Sequence, residues 1–131
     1  MCDKYHSSII CLGGNALATR GEIELATELL AQLGIITAQT ESYPTPPEYE
    51  GEIFPYLNRV VMLNTSLSLQ ELEKHTKNYE HSKRAGNKEE NRVNIDIDIV
   101  TFDNQTIRPA DASASYFRIG ISKLQKQSLT V

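Results

Sequence analysis

Asn94-Ile95-Asp96-Ile97-Asp98-Ile99 alternates polar and apolar residues without a break, which sets two carboxylates on one face of a β-strand and isoleucine on the other. At a rise of roughly 3.3 Å per residue, side chains two apart have Cα atoms about 7 Å apart and project the same way. Carboxylates at that separation repel each other unless a cation lies between them. An oxygen-only pair suits Mg²⁺, which binds through one or two carboxylates together with substrate phosphates. A phosphate-handling metal site is the chemistry this pattern can do. A half-buried edge strand with a solvated polar face has the same pattern, and spacing alone leaves both readings open.

The chain is 131 residues long with a net charge of −4 and a pI near 5.4. That length fits a single domain, 1–131, able to bury a sizeable core. The acidic balance argues against nucleic acid as a partner, since that would ask for a clustered Lys/Arg surface. An anionic ligand would instead need local positive charge, for which Lys83, Arg84, Lys88, Arg92, Arg108 and Arg118 are available. Cys2 and Cys11 lack metal-ligand spacing, and Cys11 sits in an apolar run as a small buried hydrophobe. Neither an apolar leader behind basic residues nor a membrane-length apolar segment is seen, so a soluble, cytoplasmic protein with no membrane partner is expected, by default a monomer.

The elements that must position the aspartates can be read from periodicity. Ser8 to Leu12 is a buried strand stopped by Gly13-Gly14-Asn15. Ile23, Leu25, Ala26, Leu29, Leu30 and Leu33 recur at helical spacing, with Gly34 as the cap. Ile35 to Glu41 is a second strand, ended by the proline-rich stretch Tyr43-Pro44-Thr45-Pro46-Pro47, which opens a long binding-type loop reaching Pro55. Tyr56 to Asn64 is a third strand. Ser68 and Glu71 form a capping box for a helix through Ser82. Arg84 to Asn91 reads as a loop before the aspartate strand, Asp103-Asn104 as a turn, and the tail from Tyr116 to Leu124 as either a strand or a short helix. Strand, helix, strand, strand, helix, strand is the split βαβ order of a ferredoxin-like α+β sandwich. It predicts an antiparallel sheet with both helices on the isoleucine face and Asp96 and Asp98 on the open one.

Four features in this order resemble the 6-hydroxymethyl-7,8-dihydropterin pyrophosphokinase family: Leu12-Gly13-Gly14-Asn15-Ala16-Leu17, Thr45-Pro46-Pro47 with Tyr56-Leu57-Asn58, Leu67 to Glu80, and the aspartate strand. The resemblance runs from Ile9 to Phe102, with a weaker trace to Leu124. It implies a ferredoxin-like enzyme of folate biosynthesis that passes pyrophosphate from ATP to the pterin hydroxymethyl group, with AMP as the second product. By this similarity, two Mg²⁺ ions bridge the triphosphate and Asp96 and Asp98, and Asp96 is placed to accept the hydroxyl proton. Asn15, Thr45, Pro46, Tyr56 and Asn58 would contact the pterin. Glu80, Lys83, Arg84 and Lys88 would lie on the nucleotide side, with Lys83 and Arg92 as catalytic cations.

Typical members carry Trp-Gly-Pro-Arg-Thr where this chain has Glu90-Asn91-Arg92-Val93-Asn94, so Val93 replaces an arginine and Arg92 lies one position early. Their His-Pro and Arg-x-Phe segment appears here as Arg108-Pro109-Ala110-Asp111 and Tyr116-Phe117-Arg118. These departures fall on the ATP side. Two activity classes therefore stay open: a divergent pyrophosphokinase, and a catalytically weak homologue that binds a pterin or nucleotide.

Overall fold

The computed structural model describes residues 5–14, 20–46, 56–85 and 95–129. The central strand β1 (His6–Gly14) pairs antiparallel with β4 (Tyr56–Thr65) on one side and β5 (Ile95–Phe102) on the other. Outside β4 lie β2 (Ile35–Gln39) and, further along it, the three-residue β3 (Tyr43–Thr45); outside β5 lies β6 (Gln105–Thr106). Every pairing is antiparallel. Helices α1 (Arg20–Leu33) and α2 (Leu69–Ala85) complete the expected strand-helix-strand-strand-helix-strand frame, a ferredoxin-like α+β fold. Among the described residues, no helix is long and apolar enough to cross a membrane.

Alternation along the three central strands decides which side chains meet which helix. Ile10 and Leu12, Val61 and Leu63, and Ile95, Ile97 and Ile99 form one face with Ile23, Ala26 and Leu30 of α1 and Leu72 of α2. Each fully buried side chain of this size contributes about 1.5–3 kcal/mol relative to leaving it in water, which is what fixes the register of β5. A slip of one residue would turn the isoleucines out and the aspartates in. The helix ends follow their sequence signals: Ser68 Oγ accepts from the Glu71 N–H at 3.1 Å while a Glu71 carboxylate oxygen accepts from the Ser68 N–H at 2.9 Å. Asp103 and Asn104, at φ 51° and 66°, make the two-residue turn joining β5 to β6.

Several segments differ from the sequence reading. β1 runs on through Gly13 and Gly14, where a stop is expected, and α2 reaches Ala85, past Ser82 and into the expected loop. Tyr43-Pro44-Thr45 forms β3 instead of loop, with Pro44 exposed on a short edge strand where its missing N–H costs little. The tail resolves into α3 (Pro109–Ser113) and the 15-residue α4 (Ser115–Leu129). α4 lies on the sheet face opposite α1 and α2, where Phe117 and Leu124 pack with Cys11, Val60 and Val100. The helical stripe is hard to see in the sequence because Gly120 occupies its centre. A Cβ there would come within 2.2 Å of Val60 Cγ2, so glycine is what lets α4 sit directly on β4. The face expected to be open is thus covered at one end and open at the other, where the aspartates are.

Candidate active site

Two rows of side chains cross the sheet, and their members Asn58, Gly13, Asp96, Cys11 and Asp98 form the floor of a cavity. Pairing sets Tyr43, Asn58, Gly13 and Asp96 in line across β3, β4, β1 and β5, and Val60, Cys11 and Asp98 in line beside them. Neighbouring strands are about 4.8 Å apart, so Asn58 and Asp96 face each other across about 10 Å with only Gly13 between. Lacking a side chain, Gly13 leaves that middle position vacant. The resulting cavity of about 490 Å³ is within the usual size for a small-molecule site. Thr45, Pro46, Tyr56 and Asn58 line one end, and Asp96, Asp98, Arg108 and Asp111 the other.

At the first end Asn58 is buried, and its Nδ2 donates to Thr45 Oγ1 at 2.6 Å. The threonine fixes the plane of the amide, whose remaining donor and acceptor are suited to a planar heterocycle. At the other end Asp98 is only 25% exposed. Burial pushes its carboxyl up to about 6, with Asp111, Asp96 and Glu80 adding repulsion and Arg108 opposing it. A divalent ion bound beside Asp98 would offset that burial and hold the carboxylate charged. Among the described residues no group of three or more His, Cys, Asp or Glu could enclose a metal. Two carboxylates completed by phosphate oxygens is the ligand set of Mg²⁺, and the pair fits it. Cys11, the cross-strand partner of Asp98, is buried, and that burial raises its thiol well above the ordinary range, so it is an uncharged part of the floor.

A second, smaller cavity of about 170 Å³ lies around the edge of β5, between that strand and α2. It shares Asp96, Asp98 and Arg108 with the first and adds Glu73, Thr76, Lys77 and Glu80. Glu80 accepts a hydrogen bond from the Ile97 N–H at 2.5 Å, the backbone donor between the two aspartates. Its carboxylate therefore binds the outer edge of the strand at a point where, among the described residues, no further strand pairs.

The sequence-derived residues fall into three groups. Asp96, Asp98, Thr45, Pro46, Tyr56 and Asn58 share the larger cavity, and Glu80 lines the smaller one. Lys83 lines neither: its Nζ is 3.0 Å from Glu22 Oε1 and lies over the Tyr79 ring, between α2 and α1. The hydrogen bond to Glu22 raises its pKa further. Asn15, Lys88, Arg92 and the side chain of Arg84 lie outside the described residues.

Sequence reading offered Arg108 only as one of six cations available to an anionic ligand, and did not assign Asp111 or Tyr116 to the site. Arg108 Nε donates to Asp111 Oδ2, Arg108 Nη2 is 3.7 Å from Asp98 Oδ1, and Tyr116 O–H donates to Asp111 Oδ1. Hydrogen bonding to Asp111 raises the guanidinium pKa, and burial raises that of the Tyr116 phenol, so both groups keep their protons. Tyr43 O–H in turn donates to the Tyr116 carbonyl at 2.6 Å, tying α4 to β3. The available signal was the replacement of His-Pro by Arg108-Pro109 with an acid three residues on. Counting back from Phe117 in Arg-x-Phe, the arginine position is Ser115, which also lines the larger cavity.

The sequence pattern described as 7,8-dihydro-6-hydroxymethylpterin-pyrophosphokinase (HPPK) matches residues 9–127. No curated protein matches the chain. The family pattern spans both rows of the cavity floor, the capped α2 and the α4 wall, and on that coverage the chain belongs to the 7,8-dihydro-6-hydroxymethylpterin-pyrophosphokinase family.

Proposed function

We propose that the protein is an active member of its family, transferring the pyrophosphoryl group of ATP to the hydroxymethyl oxygen of 6-hydroxymethyl-7,8-dihydropterin. The observation that carries this reading is the juxtaposition in one cavity of an oriented amide, Asn58 held by Thr45, with the carboxylate pair Asp96 and Asp98. Pterin would lie over Gly13 with its ring edge on Asn58 and its hydroxymethyl arm toward Asp96. The ATP phosphates would cross the aspartates toward the smaller cavity.

In the transfer, a bond forms between the hydroxymethyl oxygen and the β-phosphorus of ATP. The bond from that phosphorus to the α,β-bridging oxygen breaks, AMP leaves with the electron pair, and the hydroxyl proton passes to Asp96. Bound Mg²⁺ supplies neutralisation of the phosphate charge, the main requirement of phosphoryl-type transfer. Asp96 and Asp98 would hold the ions, Asn58 and Tyr56 would orient the acceptor, and Asn15, by the family resemblance, would contact it. Arg84, Lys88 and Arg92 add positive charge on the nucleotide side in this reading, and Glu80 steadies β5.

The test is AMP release from ATP, Mg²⁺ and the hydroxymethyl dihydropterin, with Asp96→Ala and Asp98→Ala alongside. Each substitution is expected to lower kcat on the order of 10²–10³-fold, the usual cost of removing one charge-stabilising group. No AMP from the parent protein, or equal rates in the variants, would refute the transferase reading. The engagement of Lys83 with Glu22 favours a second reading, a binding protein with little transfer activity. Calorimetric binding of the pterin without any AMP formation is the result that would select it.

A further inference from the structure

Arg108 is one of three residues common to both cavities, and unlike Asp96 and Asp98 it is a cation. Its guanidinium is half exposed, but one edge is fixed: Nε donates to Asp111 Oδ2, and Asp111 is itself held through Oδ1 by the Tyr116 hydroxyl. Tyr116 is fixed in turn through its carbonyl by Tyr43. The contact of Nη2 with Asp98 is longer, at 3.7 Å, and so is the looser of the two. An arginine carries five N–H donors in a planar fork, and one carboxylate oxygen on Nε leaves the Nη donors available. Those donors face the border between the cavities, next to the carboxylate pair.

A guanidinium anchored on one side and only loosely paired on the other differs from a surface arginine. Its rotamer entropy is already largely lost, so contacts to a phosphate oxygen cost less to form. It also sits where an anionic ligand crossing from one cavity to the other must pass.

We infer that Arg108 contacts the bridging phosphates of the nucleotide and that Asp111, fixed by Tyr116, is the positioning residue that aims it. The inference rests on the pyrophosphokinase reading for the identity of the ligand. It assigns to the α3 segment the positive charge that Val93 and Ser115 do not supply. The α-to-β phosphate region is the part of the nucleotide concerned, because Arg108 borders both cavities and contacts Asp98.

The experiment is calorimetric titration of the full chain, in Mg²⁺, with an ATP analogue carrying methylene between the α- and β-phosphorus atoms, which cannot be cleaved. Arg108→Ala is expected to weaken binding on the order of tenfold to a hundredfold, in line with the loss of charge-assisted hydrogen bonds. Asp111→Asn should weaken it less, and Arg108→Ala/Asp111→Asn should be no worse than Arg108→Ala, because Asp111 acts through the arginine. Pterin affinity should be unchanged in all three. Added guanidinium ion should restore part of the affinity lost in Arg108→Ala and none of that lost in Asp111→Asn, a response a purely structural role would not give. Arg108→Lys and Tyr116→Phe serve if the first pair folds poorly: the former should bind as weakly as Arg108→Ala to within a few fold, and the latter should match Asp111→Asn. Equal affinity of parent and Arg108→Ala, additive losses in the double variant, or no analogue binding by the parent would overturn the inference. Arg108-dependent binding without AMP formation from ATP would instead refute only the transferase reading.

Discussion

Replacing Gly120 by alanine tests whether the α4 wall rests on β4 as described. The added Cβ would lie 2.2 Å from Val60 Cγ2, 3.0 Å from Val60 Cβ and 2.5 Å from the Tyr43 hydroxyl oxygen. Carbon atoms in ordinary contact sit about 3.5–4.0 Å apart, so the closest approach is short by well over 1 Å. Neither neighbour can give way easily. Val60 is fully buried and β-branched, with little rotamer freedom, and the Tyr43 hydroxyl is held by the Tyr116 carbonyl. The helix must therefore rise from the sheet.

Against two neighbours that are both held, overpacking falls in the upper part of its usual range, about 2–3 kcal/mol, and the better helix propensity of alanine returns roughly 1 kcal/mol. A net loss of about 1–2 kcal/mol follows, seen as a fall in Tm of about 3–10 °C for a chain of this size. Raising α4 also stretches the bond from Tyr43 to Tyr116 and loosens Asp111, so nucleotide affinity should drop. Urea denaturation of Gly120→Ala, Val60→Ala and the double variant separates the causes. Val60→Ala alone destabilises by opening a cavity, but it makes room for the new methyl, so the double variant should lose less than the sum of the singles. A Gly120→Ala protein as stable as the parent, or additive losses, would refute the direct contact of α4 with β4.

Other perturbations follow from single contacts. Ser68→Ala removes one half of the capping box and should cost about 1 kcal/mol in urea denaturation, with m unchanged. Glu80→Ala should speed hydrogen exchange at the Ile97 amide and raise the Mg²⁺ concentration needed for half-maximal activity, because β5 loses its edge acceptor between Asp96 and Asp98; unaltered exchange at Ile97 would count against that role. The Asp103 carboxylate accepts from His6 Nδ1 at 2.6 Å and from the Ser7 N–H at 3.0 Å, and the His6 bond first, then that of Ser7, holds its pKa below the ordinary value. A depressed carboxylate adds stability above its unfolded pKa of about 3.9 and loses it as pH falls through the lower folded value. Asp103→Asn should thus be less stable than the parent near neutrality, with the gap closing in acid; a gap that does not shrink below about pH 3.5 would contradict the linkage.

What the residues disclose in order along the chain depends on how local the cause is. The capping box, the Asp103-Asn104 turn and the isoleucine face of β5 are each settled within a few residues, and all three appear as the sequence implies. The pocket residues Thr45, Tyr56 and Asn58 were legible through their family pattern, but the reason Asn58 is oriented is a cross-strand bond to a β3 that the prolines concealed. Lys83 shows the limit from the other side. A basic residue near the end of α2 reads as a phosphate ligand, yet helical spacing also turns it toward Glu22 on α1, and only the packing of the two helices decides between those partners.

Arg108, Asp111 and Tyr116 lie at the far extreme. The i to i+3 spacing of Arg108 and Asp111 makes an ion pair across one helical turn an ordinary expectation. It becomes part of the site only because Gly120 brings α4 onto β4, setting Tyr116 beside Asp111 and Arg108 beside Asp98. The same departure from the family pattern that removes a histidine therefore supplies an arginine together with its own anchor. Ser115 and Arg108 line the same cavity, so the tail's two departures from the family pattern meet in one site and cannot be weighed by comparing the positions one at a time.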